Sequence, residues 1–380
     1  MFEYSLGSIK RGIRKSYFSH NYTPTDAIIF LTYRCTSRCS ACNMWQRPVD
    51  PSSELSWTEW KPILQNLKHN NIKNIELFGG DALLRKELLL NMISFCDQNN
   101  IGTFFPTNSS SLTDKTIQAL VDAGLGTIYL SFDEVPELDG SIRGVKRHYE
   151  RVIKSIEKIR HYRGSSTKPR ISCITTVSPL NYAFLKNLTQ TIYDAGADEH
   201  MIRGMSEFTS ELVDKTNVQG IKPSPYFMST TKGSHAFTDA QAEEFLKILD
   251  DIWLTRHRFF PMSIDMCNLR GVVDKDHLTD LSYPYQSCVF ATTQVVISPY
   301  GNVLPCLYFK NYHLGNLTRN DLKVIWGNQT HRLFCTQQQS NKIPLCDKCS
   351  IKFYHKPFLP TVHEVLRNGL EKMIHISKTH

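Results

Sequence analysis

The run AIIFLTY at 27–33 is apolar and rich in β-branched residues, the pattern of a strand buried on both faces. Beyond it, segments of strand and helix character alternate. Strand-like segments fall at 73–78 (KNIELF), 102–106, 127–132 (TIYLSF), 170–177 (RISCITTV) and 199–203. Helix-period segments lie between them at 85–99, 113–123, 146–162 and 183–195, the last running into Asp194-Ala195-Gly196, which suits a helix C-cap. Between the first two strands, WTEWKPILQNLKHNN is amphipathic, with Ser56 as its N-cap and Glu59 placed to close a capping box. The result is six βα units by about residue 205. Repeated βα alternation predicts an α/β fold of parallel strands with helices outside. In such folds ligands bind at the C-terminal ends of the strands.

The pattern is lost at 205–237, where Ser, Thr, Pro and Gly gather. This stretch reads either as a plain linker or as a connection reaching over the barrel mouth. A helix is expected at 239–257, and from about 283 the chain turns to short strands, a Tyr300-Gly301-Asn302 turn and clustered cysteines. The expected division is an N-terminal extension at 1–26, a barrel at 27–205, a connecting region at 206–282, a small cysteine-rich domain at 283–355 and a helical tail at 356–380.

At 380 residues the chain has room for one barrel-sized domain and a smaller one. No apolar run approaches membrane-spanning length, and the basic N-terminus lacks the apolar core of a signal peptide, so a cytoplasmic protein without a membrane partner is expected. The net charge of +8 comes without a long basic run, which points to a solvated basic surface rather than nucleic-acid binding. Eleven cysteines in a reducing compartment favour metal ligation over disulfides.

Three of those cysteines, Cys35, Cys39 and Cys42, leave the first strand in the pattern C-x3-C-x2-C. Three thiolates cannot alone complete a tetrahedral zinc site or a fully ligated iron–sulfur cube. Either a distant fourth ligand closes the site or one metal position stays open. The loop resembles the cluster loop of radical S-adenosylmethionine (SAM) enzymes. That resemblance implies a [4Fe–4S] cluster on Cys35, Cys39 and Cys42, with the amino and carboxylate groups of SAM on the fourth iron. The family usually has an aromatic residue just before the third cysteine; here Ala41 stands there, and Met44 or Trp45 would have to supply that surface.

Further strand ends carry the same resemblance. Gly79-Gly80-Asp81-Ala82 is similar to the family's Gly-Gly-Glu-Pro motif, which binds the SAM amino group, with Asp81 and Ala82 as departures. Glycines there also permit close backbone approach to a ligand. Pro106-Thr107-Asn108 closes the third strand, Ser131-Phe132-Asp133 the fourth, and Ile142-Arg143-Gly144 follows. The resemblance puts Asn108, Ser131 and Asp133 beside the cofactor, and the planar fork of Arg143 suits the SAM carboxylate.

Near the C-terminus, Cys288, Gly301, Cys306 and the pair Cys346–Cys349 are spaced C-x12-G-x4-C, then C-x2-C. Four thiolates could hold zinc or a [4Fe–4S] cluster. The SPYGNV turn would bring Cys288 and Cys306 together. The spacing resembles the SPASM/twitch extension of radical SAM enzymes. With no cysteine after Cys349, the shorter twitch form fits better, and it implies one auxiliary cluster and an electron-transfer role. Cys335 is a possible substitute ligand, Cys96 and Cys173 read as small core residues, and Cys267 reads as a structural thiol or a hydrogen-atom donor.

The resemblance implies an oxidoreductase with two [4Fe–4S] clusters and SAM, in which a 5′-deoxyadenosyl radical abstracts a substrate hydrogen atom. Its reducing electron would come from a flavodoxin or ferredoxin. The first expectation is net dehydrogenation of a small molecule, with the auxiliary cluster as electron acceptor. The second is modification of a peptide or protein by crosslinking, side-chain oxidation or epimerisation. Such enzymes often carry a leader-binding domain, for which the residues before the first strand leave no room. A zinc-binding protein without catalysis is the third. Scattered His148, His235, His257, His277 and His313 single out no general base, so the catalytic residues stay unassigned.

Overall fold

The structure, a computed structural model, describes residues 23–228, 235–267, 269–270, 272–283 and 288–353. The expected tail helix at 356–380 lies outside them, as do residues 1–22. One sheet of ten strands runs through the described residues, in the order β10-β9-β8-β1-β2-β3-β4-β5-β6-β7. Its strands β1 (Asp26–Phe30), β2 (Asn74–Phe78), β3 (Gly102–Thr107), β4 (Thr127–Ser131), β5 (Arg170–Val177) and β6 (Glu199–Gly204) pair in parallel, each with the next. This is the α/β arrangement of parallel strands that the alternating pattern predicts, and it matches the partial (β/α)6 barrel that the family resemblance implies.

The period of two decides which way each side chain points. On β2, Ile75 and Leu77 are fully buried against the helices, which leaves Asn74, Glu76 and Phe78 on the inner face. On β4, Ile128 and Leu130 are buried in the same way and Tyr129 and Ser131 face inward. Helices Trp57–His69, Lys86–Gln98, Asp114–Asp122, His148–Arg163 and Leu185–Ala195 connect the strands. The first begins with the capping box of Ser56, whose N–H donates to Glu59 Oε2 at 2.8 Å. The last ends at Gly196 with φ of 83°.

Two features extend the sheet beyond the six expected strands. A seventh parallel strand, β7 (Ser263–Asp265), pairs with β6. It has only three residues, too few to show a period in the sequence. On the opposite side, β8 (Gln294–Ile297) pairs in parallel with β1, with Ala27 opposite Val295. β8 turns at Gly301 into antiparallel β9 (Asn302–Leu304), and β10 (Gly315–Asn316) follows. The cysteine-rich region is therefore joined to the barrel sheet instead of forming a sheet of its own. The reason lies in β8: all four of its residues are buried, which a small free-standing hairpin could not achieve. The main core accordingly runs from β1 and β2 into Tyr308, Phe309 and Phe334 without a break. A second cluster lies under helix Asp239–Thr255, around Phe245 and Leu249.

The patternless stretch after β6 is tied down on both sides. It holds a short helix, Ser210–Lys215, and then the Asn43 N–H donates to Tyr226 O at 2.9 Å. The Ser224 N–H donates to Tyr308 O at 2.6 Å. Residues 224–226 thus sit between the first cysteine loop and the C-terminal cysteine region.

Candidate cluster and cofactor site

The loop bearing Cys35, Cys39 and Cys42 is clasped by the C-terminal ends of the neighbouring strands. At the end of β2, the Gly80 N–H donates to Thr32 O at 3.0 Å and the Asp81 N–H to Arg34 O at 2.8 Å. A Cβ on Gly80 would lie 2.2 Å from Arg34 O and 2.9 Å from Cys35 Cβ; one on Gly79 would lie 2.8 Å from Thr32 O. Glycine is thus required here by the cysteine loop itself, a closer cause than the approach of a ligand. The Asp81 carboxylate accepts from Thr36 Oγ1 at 2.6 Å and from the Leu83 N–H at 3.1 Å. From β3, Asn108 Nδ2 donates to Ser37 Oγ.

After β4, the buried Asp133 pairs with the Arg143 guanidinium and accepts the Thr176 N–H at 2.6 Å. Arg143 O in turn lies 3.6 Å from Cys39 Sγ, and the Ser40 N–H donates to Ile142 O at 2.9 Å. A Cβ on Gly144, at φ of 64°, would lie 2.7 Å from Arg38 O. Burial alone would lower the Arg143 pKa, but the Asp133 carboxylate and Cys39 overcome it and hold the guanidinium above its ordinary value. Gly79, Gly80, Asp81, Asn108, Asp133 and Arg143 therefore converge on one loop. Ser131 ends β4 half-buried, opposite Ile174 in register.

Two carboxylates that sequence reasoning missed hold this arrangement together. Glu54 is buried, accepts from Thr32 Oγ1 at 2.5 Å, and lies 3.1 Å from Arg34 and 3.7 Å from Arg85. It is hidden in the sequence among turn residues. Glu134 is fully buried and accepts the N–H groups of Gly140, Ile142 and Arg143 at 3.0, 2.7 and 2.6 Å, with His148 Nδ1 at 3.4 Å. Its signal was the second acid in Asp133-Glu134 at a strand end.

Burial pushes the Cys35 thiol up to about 11 and the Cys42 thiol up to about 12, and both also feel Cys39. Three soft sulfur donors on one loop, with an arginine beside the middle one, fit an iron–sulfur cube with one open iron. Among the described residues, no group of three His, Cys, Asp or Glu stands at the spacing of a single metal ion. The ligands of a cube stand farther apart than those of one zinc ion. Of the two residues expected to replace the aromatic missing at Ala41, Met44 is buried and Trp45 is exposed, with Arg38 over its ring. The aromatic side chain beside Cys42 is that of Tyr226, whose phenol is raised by burial first and then by Cys42. It lies in the stretch that carries no readable pattern.

In the C-terminal region, burial pushes Cys306 up to about 12, with Cys288 adding to it. The Cys349 N–H donates to Cys346 O at 3.3 Å, and Tyr308 bears on both Cys349 and Cys306. Cys335 is fully buried, with its thiol facing Cys288 and 3.9 Å from Ala291 O. Cys96 and Cys173 are fully buried in the core. Cys267 is buried beyond β7 and bears on the Tyr129 phenol.

The model of the radical SAM superfamily matches residues 29–179, and that of the SPASM iron–sulfur cluster-binding domain matches 288–350. This chain is a radical SAM enzyme. It binds SAM and an iron–sulfur cluster and carries an auxiliary iron–sulfur domain. The Pyrococcus furiosus tungsten-containing aldehyde ferredoxin oxidoreductase cofactor-modifying protein is 20% identical over 345 residues, 85% of this chain and 86% of that protein. The PqqA peptide cyclase of Rhodopseudomonas palustris is 28% identical over 109 residues, a stretch that is only 29% of either chain. Among solved structures, Streptococcus suis SuiB bound to SAM has a TM-score of 0.62 at 17% identity, covering 90% of this chain and 76% of that one. The structure of anSMEcpe with bound SAM has a TM-score of 0.64 at 14% identity, covering 94% and 100%. Among the described residues no helix is long and apolar enough to cross a membrane.

Proposed function

We propose that this radical SAM enzyme modifies a peptide or protein side chain. The observation that carries this reading is the similarity of part of the chain to PqqA peptide cyclases, 28–30% identical in three organisms. It is supported by the shared fold with SuiB, which has been solved with its precursor peptide, and with anSMEcpe, which has been solved with peptides. Dehydrogenation of a small molecule, the first expectation from the sequence, has less support. The Pyrococcus relative, which by its name modifies a cofactor, keeps it as a second reading.

In this reading Cys35, Cys39 and Cys42 hold a [4Fe–4S] cluster with one open iron, and Cys288, Cys306, Cys346 and Cys349 hold a second [4Fe–4S] cluster. When bound, the first cluster and SAM supply the radical that abstracts hydrogen, on an electron from a flavodoxin or ferredoxin. The protein's own work is orientation. Asp81 and the backbone of Gly79 and Gly80 receive the SAM ammonium, and Arg143, charged and fixed by Asp133, receives its carboxylate. Asn108 and Ser131 line the same side.

The test is anaerobic incubation of the reduced, reconstituted enzyme with SAM and a positional library of short synthetic peptides. Peptides that lose hydrogen or gain a crosslink, in step with 5′-deoxyadenosine release, are the expected result. If no peptide raises turnover above background while a panel of small-molecule cofactors does, the second reading replaces the first.

A further inference from the structure

Glu76 is an acidic side chain on the inner wall of the barrel, and Glu199 of β6 is another, both bearing on the inward-facing Tyr129. Glu76 lies between Asn74 and Phe78 on the inward face of β2, since Ile75 and Leu77 point the other way into the core. Aromatic rings crowd it from both sides. Phe78 meets Phe30 edge-on at 5.0 Å and Tyr226 at 6.1 Å, and Phe104 stacks on Tyr129 at 5.8 Å. The charged and titratable groups that bear on it are Arg203 of β6, Tyr129 of β4 and Tyr226 of the connection. Desolvation raises the Glu76 carboxyl above the usual carboxylate range, although Arg203 pulls the other way. The guanidinium thus compensates only part of what burial takes from the carboxylate.

A second group in the same chamber is left without a partner. Ser172 occupies the inner face of β5, in register with Tyr129 and Glu199. It is fully buried, and its Oγ has no hydrogen-bond partner. A buried hydroxyl on β5 and a partly compensated carboxyl on β2, both on the inner face of the sheet, are what a polar ligand would satisfy.

We propose that Glu76 is the hydrogen-bond acceptor for the substrate group that enters the barrel, and that this group is a donor, an ammonium or hydroxyl at the end of a short carbon chain. Ser172 supplies the second polar contact, and the aromatic rings pack against the carbon chain. Glu76 acts here as a positioning and specificity residue. The inference rests on the peptide reading only for the source of the donor.

The experiment uses full-length, reconstituted enzyme with SAM, and measures saturation-transfer NMR of 1-butanol, butylammonium and butyrate. Butyrate at neutral pH accepts hydrogen bonds and donates none. The expected result is that 1-butanol or butylammonium binds at least tenfold more tightly than butyrate, and the stronger of the two identifies the donor. Glu76→Met should abolish this preference. Glu76→Gln, which keeps an accepting oxygen without the charge, should keep 1-butanol binding and lose butylammonium. Butyrate binding as tightly as the donors to the unaltered enzyme overturns the proposal without reliance on any variant. So does an unchanged preference in Glu76→Met. Glu76-dependent binding without any modified peptide would remove the peptide reading and leave this site standing.

Discussion

The carboxylate of Glu134 accepts the backbone N–H of Arg143 at 2.6 Å, one of three N–H groups it gathers from the 140–143 turn. The turn that carries Arg143 is thereby shaped by a buried acid that need not touch the cofactor. Glu134→Ala would strand those N–H groups, and a loss of about 3 kcal/mol in unfolding free energy is expected. SAM affinity should fall about tenfold, the equivalent of about 1.4 kcal/mol. Equilibrium dialysis with labelled SAM checks this, and an unchanged affinity would detach Glu134 from the site.

The same carboxyl makes a pH prediction. Burial pushes its pKa up, but His148 and the N–H groups of Arg143 and Gly140 outweigh burial and hold it below its ordinary value. A group with a depressed folded pKa stabilises the fold above its unfolded pKa of about 4.3 and loses that contribution as pH falls through the folded value. Stability should therefore drop on the acid side, and Glu134→Gln should flatten that limb relative to the unaltered protein in urea titrations across pH.

Gly80 was expected to let the backbone approach a ligand; in the structure it makes room for the cysteine loop. Replacement by Ala would drive a Cβ into Arg34 O, 2.2 Å away, and against Cys35 Cβ. Backbone atoms cannot yield as a side-chain tip can, so the cysteine loop must move. Gly80→Ala should lose the iron of the first cluster and keep that of the C-terminal region. Iron and sulfide analysis after reconstitution measures it; full iron content would show that the loop tolerates the shift.

Much of the barrel could be read from the chain because each strand repeats one rule over five or more residues. Ile75 and Leu77, or Ile128 and Leu130, announce their strands by alternation. Ser56 with Glu59 and Gly196 mark helix ends by local chemistry that needs no tertiary context. The attachment of β8 to β1 was not readable, since pairing between strands 268 residues apart leaves no local trace (Asp26 faces Gln294). Glu54, Glu76 and Tyr226 were missed for related reasons. Glu76 looks like the solvent face of an alternating strand, and only closure of the sheet turns that face into an interior.

The two cysteine sets should be separable. Replacing Cys35, Cys39 and Cys42 together by Ala should abolish SAM cleavage and leave about four irons per chain. Replacing Cys346 and Cys349 should remove a similar amount of iron and leave reductive SAM cleavage by the first cluster intact. Zinc in place of iron in the second set would turn that region into a structural module and remove its redox part. Cys335 sharpens the assignment, because its thiol faces Cys288. Cys335→Ala should leave iron unchanged if the four named cysteines are the ligands.

Asp81 departs by one methylene from the glutamate of the motif it resembles, and its geometry shows how the shorter arm is used. Its Oδ1 accepts the Leu83 N–H at 3.1 Å and its Oδ2 accepts Thr36 Oγ1 at 2.6 Å. The carboxylate thus caps the turn after β2 and grips the cysteine loop, with lone pairs remaining for an ammonium. Asp81→Asn keeps the accepting oxygen at the turn but removes the charge. Its expected effect is a fall in SAM affinity of roughly tenfold, about 1.4 kcal/mol, with little change in cluster content. Thr36→Val removes the grip on the loop and leaves the carboxylate charged, so it should lower the iron of the first cluster, with SAM affinity falling only in proportion to the iron lost. Iron content and SAM affinity measured on both variants separate the two roles. Equal loss of iron in both would mean that Asp81 serves the loop alone.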